Sequence, residues 1–276
     1  MTSDVAAASG ARTRLASARS PVLASAVGRL SGVAIGLALA ALLWSVIAAT
    51  AVFPRALFPT VPEIVGAGWA LWESGDLLPD VLLSLQRAVV GFVIGATVGV
   101  ALAVVTSATV VGLRLIQPVL RLFAPIPTIG LVPLAILWFG LGESSKVTVV
   151  ALGVFVPVWI SSHAGLSTTP ADFLQASRCL GANRWLTLWR IVIPEAAPDI
   201  VAGLRVGAAM AFVLIVVAEM TGTTHGLGFR IYQAQLFSQA DHLIFCLIVL
   251  GVLGAASDQF IAHATKPITR WAAEER

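Results

Sequence analysis

Charged residues are scarce in this sequence. Of its 276 residues, 11% are charged and 58% are hydrophobic, whereas soluble domains carry about 25% charged residues. A soluble fold of this length could not cover its surface with so few charges. The composition therefore predicts an integral membrane protein.

Lysine is almost absent, and its placement excludes one way of holding ATP. A phosphate-binding loop of the form GxxxxGK[ST] requires a glycine before its lysine. The two lysines, Lys146 and Lys266, instead follow a serine and a threonine. We therefore expect no cofactor in this chain, and any ATP that drives it must be bound by a partner subunit.

Motifs of catalytic and metal sites are missing as well. The four histidines show no HExxH or paired spacing, and neither GxSxG nor CxxC occurs. Cys179 falls in a polar loop and Cys246 in an apolar run, so a disulfide between them is not expected. The apolar runs hold almost no ionisable residues, which ion-coupled carriers usually need. The sequence thus predicts no enzyme and no metal site, and it disfavours a secondary transporter or channel.

Long apolar runs, in contrast, are abundant. Six predicted spans cover about 31–53, 88–106, 122–140, 146–163, 201–219 and 243–262, and the first has no charge over 23 residues. At about 1.5 Å per residue, such a run crosses a hydrocarbon core of roughly 30 Å. The predicted fold class is all-α, a polytopic transmembrane helical bundle of about six helices.

The third predicted span is interrupted by Pro125, Pro127 and Pro133. In lipid, such breaks survive only where neighbouring protein or a cavity satisfies the freed backbone groups. Two interpretations stay open: the segment lines a translocation path, or it is a kinked and packed helix. On the first, the prolines and Trp138 shape an inner wall and Glu219 lies at the outer mouth. On the second, Glu219 caps a helix at the interface.

Positive charges are divided unevenly between the two sides. With six spans both termini share one side, which carries 12 of the lysines and arginines against 4 on the other, with Arg205 near the start of the fifth span. The positive-inside bias places the termini and the 164–200 loop in the cytoplasm. It also accounts for the net charge of +3, so the charge gives no reason to expect nucleic acid as a partner. The predicted organisation is a disordered cytoplasmic tail at 1–30, a transmembrane domain at 31–265 and a cytoplasmic tail at 266–276.

The polar segment 170–198 has the caps of two short helices. Asp172 lies at the positive end of a first helix, and Gly181 suits a left-handed C-cap. A second helix is predicted from Arg184 to about Val192, with Pro194 ending it. On these features alone the segment is either an amphipathic hairpin at the membrane interface or a docking element for a partner.

This segment resembles the EAA loop of ABC importer permeases, which reads EAA, three residues, Gly, nine residues and I-x-L-P. Glutamine stands where Glu is usual, and serine replaces the second Ala. The segments 125–147 and 216–231 are similar to the permeases of nitrate, taurine and aliphatic-sulfonate importers. The residues that match the loop, or lie within it, and that we expect to couple to an ATPase are Gln175, Ala176, Ser177, Arg178, Gly181, Ala182, Ile191 and Pro194.

The resemblance implies a type I importer in the cell inner membrane. It implies a second permease copy (a homodimer), two ABC ATP-binding subunits and an extracytoplasmic solute-binding protein. The short helix at 171–180 would dock into a groove on the ATPase, and the loss of a charge at Gln175 puts a salt bridge there in doubt. The implied cargo is a small anion of the sulfonate, taurine or nitrate type. Relatives that carry neutral heteroaromatic solutes, such as pyrimidine or riboflavin precursors, share much of the pattern.

Overall fold

All regular secondary structure in the described part of the chain is helical. The computed structural model describes residues 21–50, 54 and 57–274. The predicted all-α fold is thereby confirmed. The α-helices are α1 (Pro21–Ala49), α2 (Val61–Glu73), α3 (Leu77–Ala108), α4 (Gln117–Phe123), α5 (Val132–Phe139), α6 (Glu143–Ser167), α7 (Ala171–Cys179), α8 (Arg184–Thr187), α9 (Ile193–Glu195), α10 (Ala197–Glu219), α11 (Leu227–Leu236) and α12 (Ala240–Glu274). The chain divides into two compact units, 1–62 and 63–276.

The first unit contains α1. Its described apolar part, Ala34–Ala49, is shorter than the roughly 20 residues of a typical span, and positions 51–53 of the predicted first span lie outside the described residues. Trp44 anchors the segment that follows α1, because its indole N–H donates to the Pro59 carbonyl at 2.9 Å and its ring stacks on Phe58. Residues 21–30 of the predicted tail belong to α1, whereas residues 1–20 lie outside the described part.

Four helices of the second unit are long and apolar enough to cross a membrane: Leu77–Ala108, Glu143–Ser167, Ala197–Glu219 and Ala240–Arg270. They contain four of the predicted spans, and each extends beyond the predicted bounds. The helix of the last span continues through Glu274, so most of the predicted C-terminal tail is helical.

The predicted third span is a broken one. Two segments, Gly112–Phe123 and Thr128–Phe139, are bent by 89° and together form a fifth candidate span. The break lies at Pro125 and Pro127, because proline disfavours the helical conformation of the residue before it. Pro133 does not interrupt the helix as predicted: it lies in the first turn of α5, where its missing N–H leaves no hydrogen bond unmade.

Close backbone contact joins α3 to α6. The face of α3 that meets α6 carries Gly91, Gly95 and Gly99. A Cβ atom at Gly95 would lie 2.3 Å from the Ala151 carbonyl oxygen, and one at Gly99 would lie 3.0 Å from that of Phe155. Small residues four apart let two helices approach closely in a membrane, where packing replaces the hydrophobic effect as the driving force. These glycines therefore place α6 at the centre of the bundle.

The core lies along α6 and α10. Val150, Val154 and Val158 of α6 are fully buried, as is Ile215 of α10.

An ion pair outside this core joins α10 to α12. Arg205 of α10 binds Asp258 of α12 through two hydrogen bonds of 2.6 and 2.8 Å. Pairing makes two charges within membrane spans tolerable.

Candidate functional site

The segment between α6 and α10 folds as two short helices joined by a tight turn. Gly181 has a φ of 75°. Its N–H donates to the Arg178 carbonyl, and the N–H of Ala182 donates to the Ser177 carbonyl, each at 3.0 Å. These two bonds are the Schellman motif, which requires a left-handed residue after the helix. The predicted C-cap at Gly181 is confirmed.

The second helix starts at a capped end and runs further than predicted. The side chain of Asn183 accepts the N–H of Leu186 at 2.7 Å, which satisfies one unpaired donor of the first turn. A π-helical turn at 188–192 links α8 to α9, with the Ile193 N–H bonded to the Leu188 carbonyl. Pro194 does not end the helix, because it lies in the first turn of α9, and the helix continues to Glu195.

Ser177 joins the two short helices. It is 3% exposed, and its hydroxyl donates to the Leu174 carbonyl at 2.9 Å and accepts from the Thr187 hydroxyl at 3.3 Å. A serine here thus adds a hydrogen bond that alanine could not make. The neighbouring Gln175 and Ala176 are exposed, so their side chains stay available to a partner.

An open apolar groove lies between α7 and the segment around α9. Phe173 and Leu180 line it on one side, and Ile191 and Pro194 on the other. Leu180 is 86% exposed and, with the other three residues, gives the groove a continuous apolar surface. The groove and the small residues beside it form one surface at the end of the bundle.

The opposite ends of α6 and α10 meet in a buried ionic network that the sequence pattern did not reveal. Glu219 is fully buried and binds Arg87 at 2.7 Å. The same guanidinium makes two hydrogen bonds of 2.6 Å to Glu143, to which Lys146 adds a contact at 3.4 Å. Ser84 donates to the Glu219 carboxylate. Three spanning helices are thereby held together by charge.

The network also caps α11. Three successive backbone N–H groups at the start of α11 donate hydrogen bonds to side chains of other helices. The N–H of Gly226 donates to Asp80 at 2.7 Å, that of Leu227 to Ser84 at 2.8 Å and that of Gly228 to Glu219 at 2.9 Å. Carboxylates are favoured at this end of a helix because its dipole is positive there. The first turn of α11 is therefore fixed to α3 and α10.

Arg230 completes this end of the bundle. It pairs with Asp80 and, at 3.0 Å, with Asp76. Burial lowers the pKa of the Arg230 guanidinium, but the two ion pairs more than offset this and raise it. The side chain therefore keeps its charge, and ion pairs of Arg230 add to the hydrogen bonds that hold the start of α11.

The network has a sequence signal that the predicted bounds of the second span concealed. Asp80, Ser84 and Arg87 follow each other at intervals of four and three residues, which places them on one helical face. The predicted span began at 88, whereas α3 begins at Leu77. Every charge in the network has an ion-pair partner among the described residues.

The residues predicted to line a path do not all lie together. Pro125 and Pro127 are exposed in the break of the third span, and Pro133 and Trp138 are exposed on its second arm, where Trp138 is 67% exposed. Glu219 is instead enclosed in the ionic network, where it caps α11. Among the described residues, no group of three or more His, Cys, Asp and Glu side chains is placed to hold a metal ion. A role of the four exposed residues in a path stays a prediction.

Several apolar spanning helices, one of them broken, define a polytopic membrane protein. Residues 91–269 match the family described as the binding-protein-dependent transport system inner membrane component, and this chain belongs to that family. This confirms the resemblance to ABC importer permeases.

The relatives agree with this assignment. The chain is 30% identical to the putative aliphatic sulfonates transport permease protein SsuC of Bacillus subtilis (strain 168), over 83% of each chain. It is 32% identical to the taurine transport system permease protein TauC of Escherichia coli (strain K12), over 74% of this chain and 72% of TauC. A chain of the MetNI methionine ABC transporter in an inward-facing conformation has the same fold, with a TM-score of 0.54 at 20% identity, covering 71% of this chain and 95% of that chain.

Proposed function

We propose that this chain is the permease subunit of an ATP-driven importer of a small anion of the sulfonate, taurine or nitrate type. The family and the names of two relatives, an aliphatic sulfonates permease and a taurine permease, support this class of solute. We further propose that a separate solute-binding protein delivers the anion and that a separate subunit hydrolyses ATP. The permease itself performs no catalysis.

The observation that carries this proposal is the loop between α6 and α10. The loop offers a surface to which a partner can bind. This surface consists of the apolar groove, the exposed Gln175 and Ala176, and the Schellman turn at Gly181. Because the loop continues directly into two central helices, a displacement of α7 by the ATPase would move both of them. Rigid-body coupling of this kind needs one stiff contact patch.

The proposed topology follows from the two ends of the bundle. The loop and both termini lie in the cytoplasm, and the ionic network with α11 lies at the outer face of the cell inner membrane. Four of the residues proposed for the path, Pro125, Pro127, Pro133 and Trp138, remain exposed in the single chain. A second copy of the chain facing them would enclose a path between two broken spans.

Gly181→Asp is expected to abolish transport-coupled ATP hydrolysis while the permease stays inserted. A Cβ at this position meets no atom within 4 Å, and aspartate tolerates the left-handed conformation, so the effect comes from the new charge on the docking surface. Gly181→Asn is the matched control, because asparagine tolerates this conformation without adding charge. Coupled hydrolysis in proteoliposomes is the measurement, and a normal rate for Gly181→Asp would contradict the assignment of the loop.

The partner and the solute are tested separately. Detergent-solubilised permease is expected to retain an ATPase subunit, and Leu180→Asp in the apolar groove should release it, whereas Leu137→Asp, at an equally exposed leucine of α5, should not. Transport activity by the permease alone, without a bound ATPase, would instead identify a secondary transporter. Calorimetry on the binding protein encoded beside this chain should detect a sulfonate, taurine or nitrate; a neutral heteroaromatic ligand would overturn the anion assignment only.

A further inference from the structure

A second cavity lies at the loop end of the bundle, on the other side of Ser177 from the apolar groove. It is half open, has a volume of about 590 Å³ and lies between the ends of α3 and α6 on one side and α7 and α8 on the other. This size is within the range of pockets that hold small molecules. The cavity therefore joins the loop to two spanning helices.

The lining of this cavity has an excess of positive charge. Arg178 and Arg184 both contribute to it, and no aspartate or glutamate is among the described residues that line it. Neither guanidinium has an ion-pair or hydrogen-bond partner in the described part of the chain. Arginine presents donors in a planar fork that matches the oxygens of carboxylate, phosphate and similar groups. Both side chains line one cavity without a counter-charge in its described lining, so the cavity offers two guanidinium groups to an anion.

The hydroxyl of Thr169 adds an independent observation. Its oxygen is buried and has no hydrogen-bond partner among the described residues, although Thr169 lines the same cavity. A buried hydroxyl without a partner is unfavourable, and such groups mark places where a bound ion or ligand supplies the missing contact. Ser167, two residues earlier, brings a second hydroxyl to the cavity.

We propose that this cavity, the inner anion site, binds one oxyanion group between Arg178, Arg184 and the hydroxyls of Ser167 and Thr169. The shared chemistry is a sulfate or phosphate group, supplied either as a free ion or as the headgroup of an anionic lipid. Because the site joins α6 to α7 and α8, its occupant ties the loop to the end of the bundle. The site is separate from the translocation path and does not depend on the solute that is imported.

Binding is measured on the full chain in phosphatidylcholine nanodiscs by equilibrium dialysis with radiolabelled sulfate at constant ionic strength. Saturable binding is expected for the free ion. If the source is lipid, sulfate does not bind, and native mass spectrometry of detergent-purified protein shows retained phosphatidylglycerol. Either result supports the site, and the two results separate its sources.

Variants distinguish the site from a general surface charge. Arg184→Gln and Thr169→Val should each weaken binding by about tenfold, as expected for the loss of a hydrogen bond to a charged group. Thr169→Ser should retain binding because it keeps the hydroxyl. Arg190→Gln is the matched control, since this exposed arginine of the same loop lines the apolar groove instead.

Three outcomes would overturn the proposal. The first is the absence of both sulfate binding and retained lipid. The second is equal binding by the wild type, Arg184→Gln and Thr169→Val, or an equal loss in Arg190→Gln. The third is that Arg184→Gln releases the ATPase subunit while anion occupancy stays unchanged, which would assign these arginines to a protein partner. Arg184 is exposed, so its variant should fold even if Thr169→Val does not.

Discussion

Glu219→Ala is expected to destabilise the protein by about 3–5 kcal/mol, the cost of breaking a buried ion pair. Among the described residues, the substitution leaves the buried guanidinium of Arg87 with Glu143 as its only carboxylate partner. It also removes the acceptor for the Gly228 N–H, which frees the first turn of α11. The measurement is thermal or denaturant unfolding of the purified chain in detergent.

Three further variants make this prediction specific. Glu219→Gln keeps an acceptor for Ser84 and Gly228 and should lie between the wild type and Glu219→Ala. Arg87→Leu combined with Glu219→Leu should be milder than the sum of the single changes, because no unpaired charge remains. Asp76→Ala removes a half-exposed partner of Arg230 and should cost less than about 1 kcal/mol. If Glu219→Ala is no more harmful than Asp76→Ala, the network does not stabilise the fold.

Gly95→Val is expected to prevent the close packing of α3 on α6, at a cost of about 3 kcal/mol. The atom that a new Cβ would meet is the Ala151 carbonyl oxygen, at 2.3 Å. Backbone cannot rotate away as a side chain can, so the two helices must separate. Loss of folded, monodisperse protein after solubilisation, with insertion into the membrane preserved, is the expected result.

A series of Gly→Ala substitutions tests the same contact, because the space available to the new Cβ differs from one position to the next. In a helix, alanine is favoured over glycine by about 1 kcal/mol, so a change at an open position should be neutral or stabilising. Gly251 of α12 is such a position, since no atom lies within 4 Å of its Cβ. We expect stability to fall from Gly251→Ala to Gly99→Ala to Gly95→Ala. The reverse order, or no order, would show that α3 and α6 are not in backbone contact.

Local features were predicted well because local bonds create them. The turn at Gly181 depends on hydrogen bonds that span at most five residues, from Ala182 back to Ser177, so its pattern is visible in the sequence. The break near Pro125 is likewise a local steric effect. Pro133 was assigned wrongly because proline is unfavourable inside a helix and favourable in its first turn. Which case applies depends on where the helix starts, and boundaries are the least certain part of a sequence pattern.

The sequence by itself determined the membrane class, the all-helical fold and the loop, because these follow from composition, apolar run length and short-range capping. Tertiary structure alone decided the ionic network and the lining of the cavity proposed as the inner anion site. Ser84 and Glu219 are 135 residues apart in the chain, and Ser107 at the end of α3 lines the same cavity as Thr169 and Arg184. Charges that pair across helices attract each other strongly where water is excluded, and this attraction offsets the cost of removing them from water. No local pattern specifies which distant helix supplies the partner.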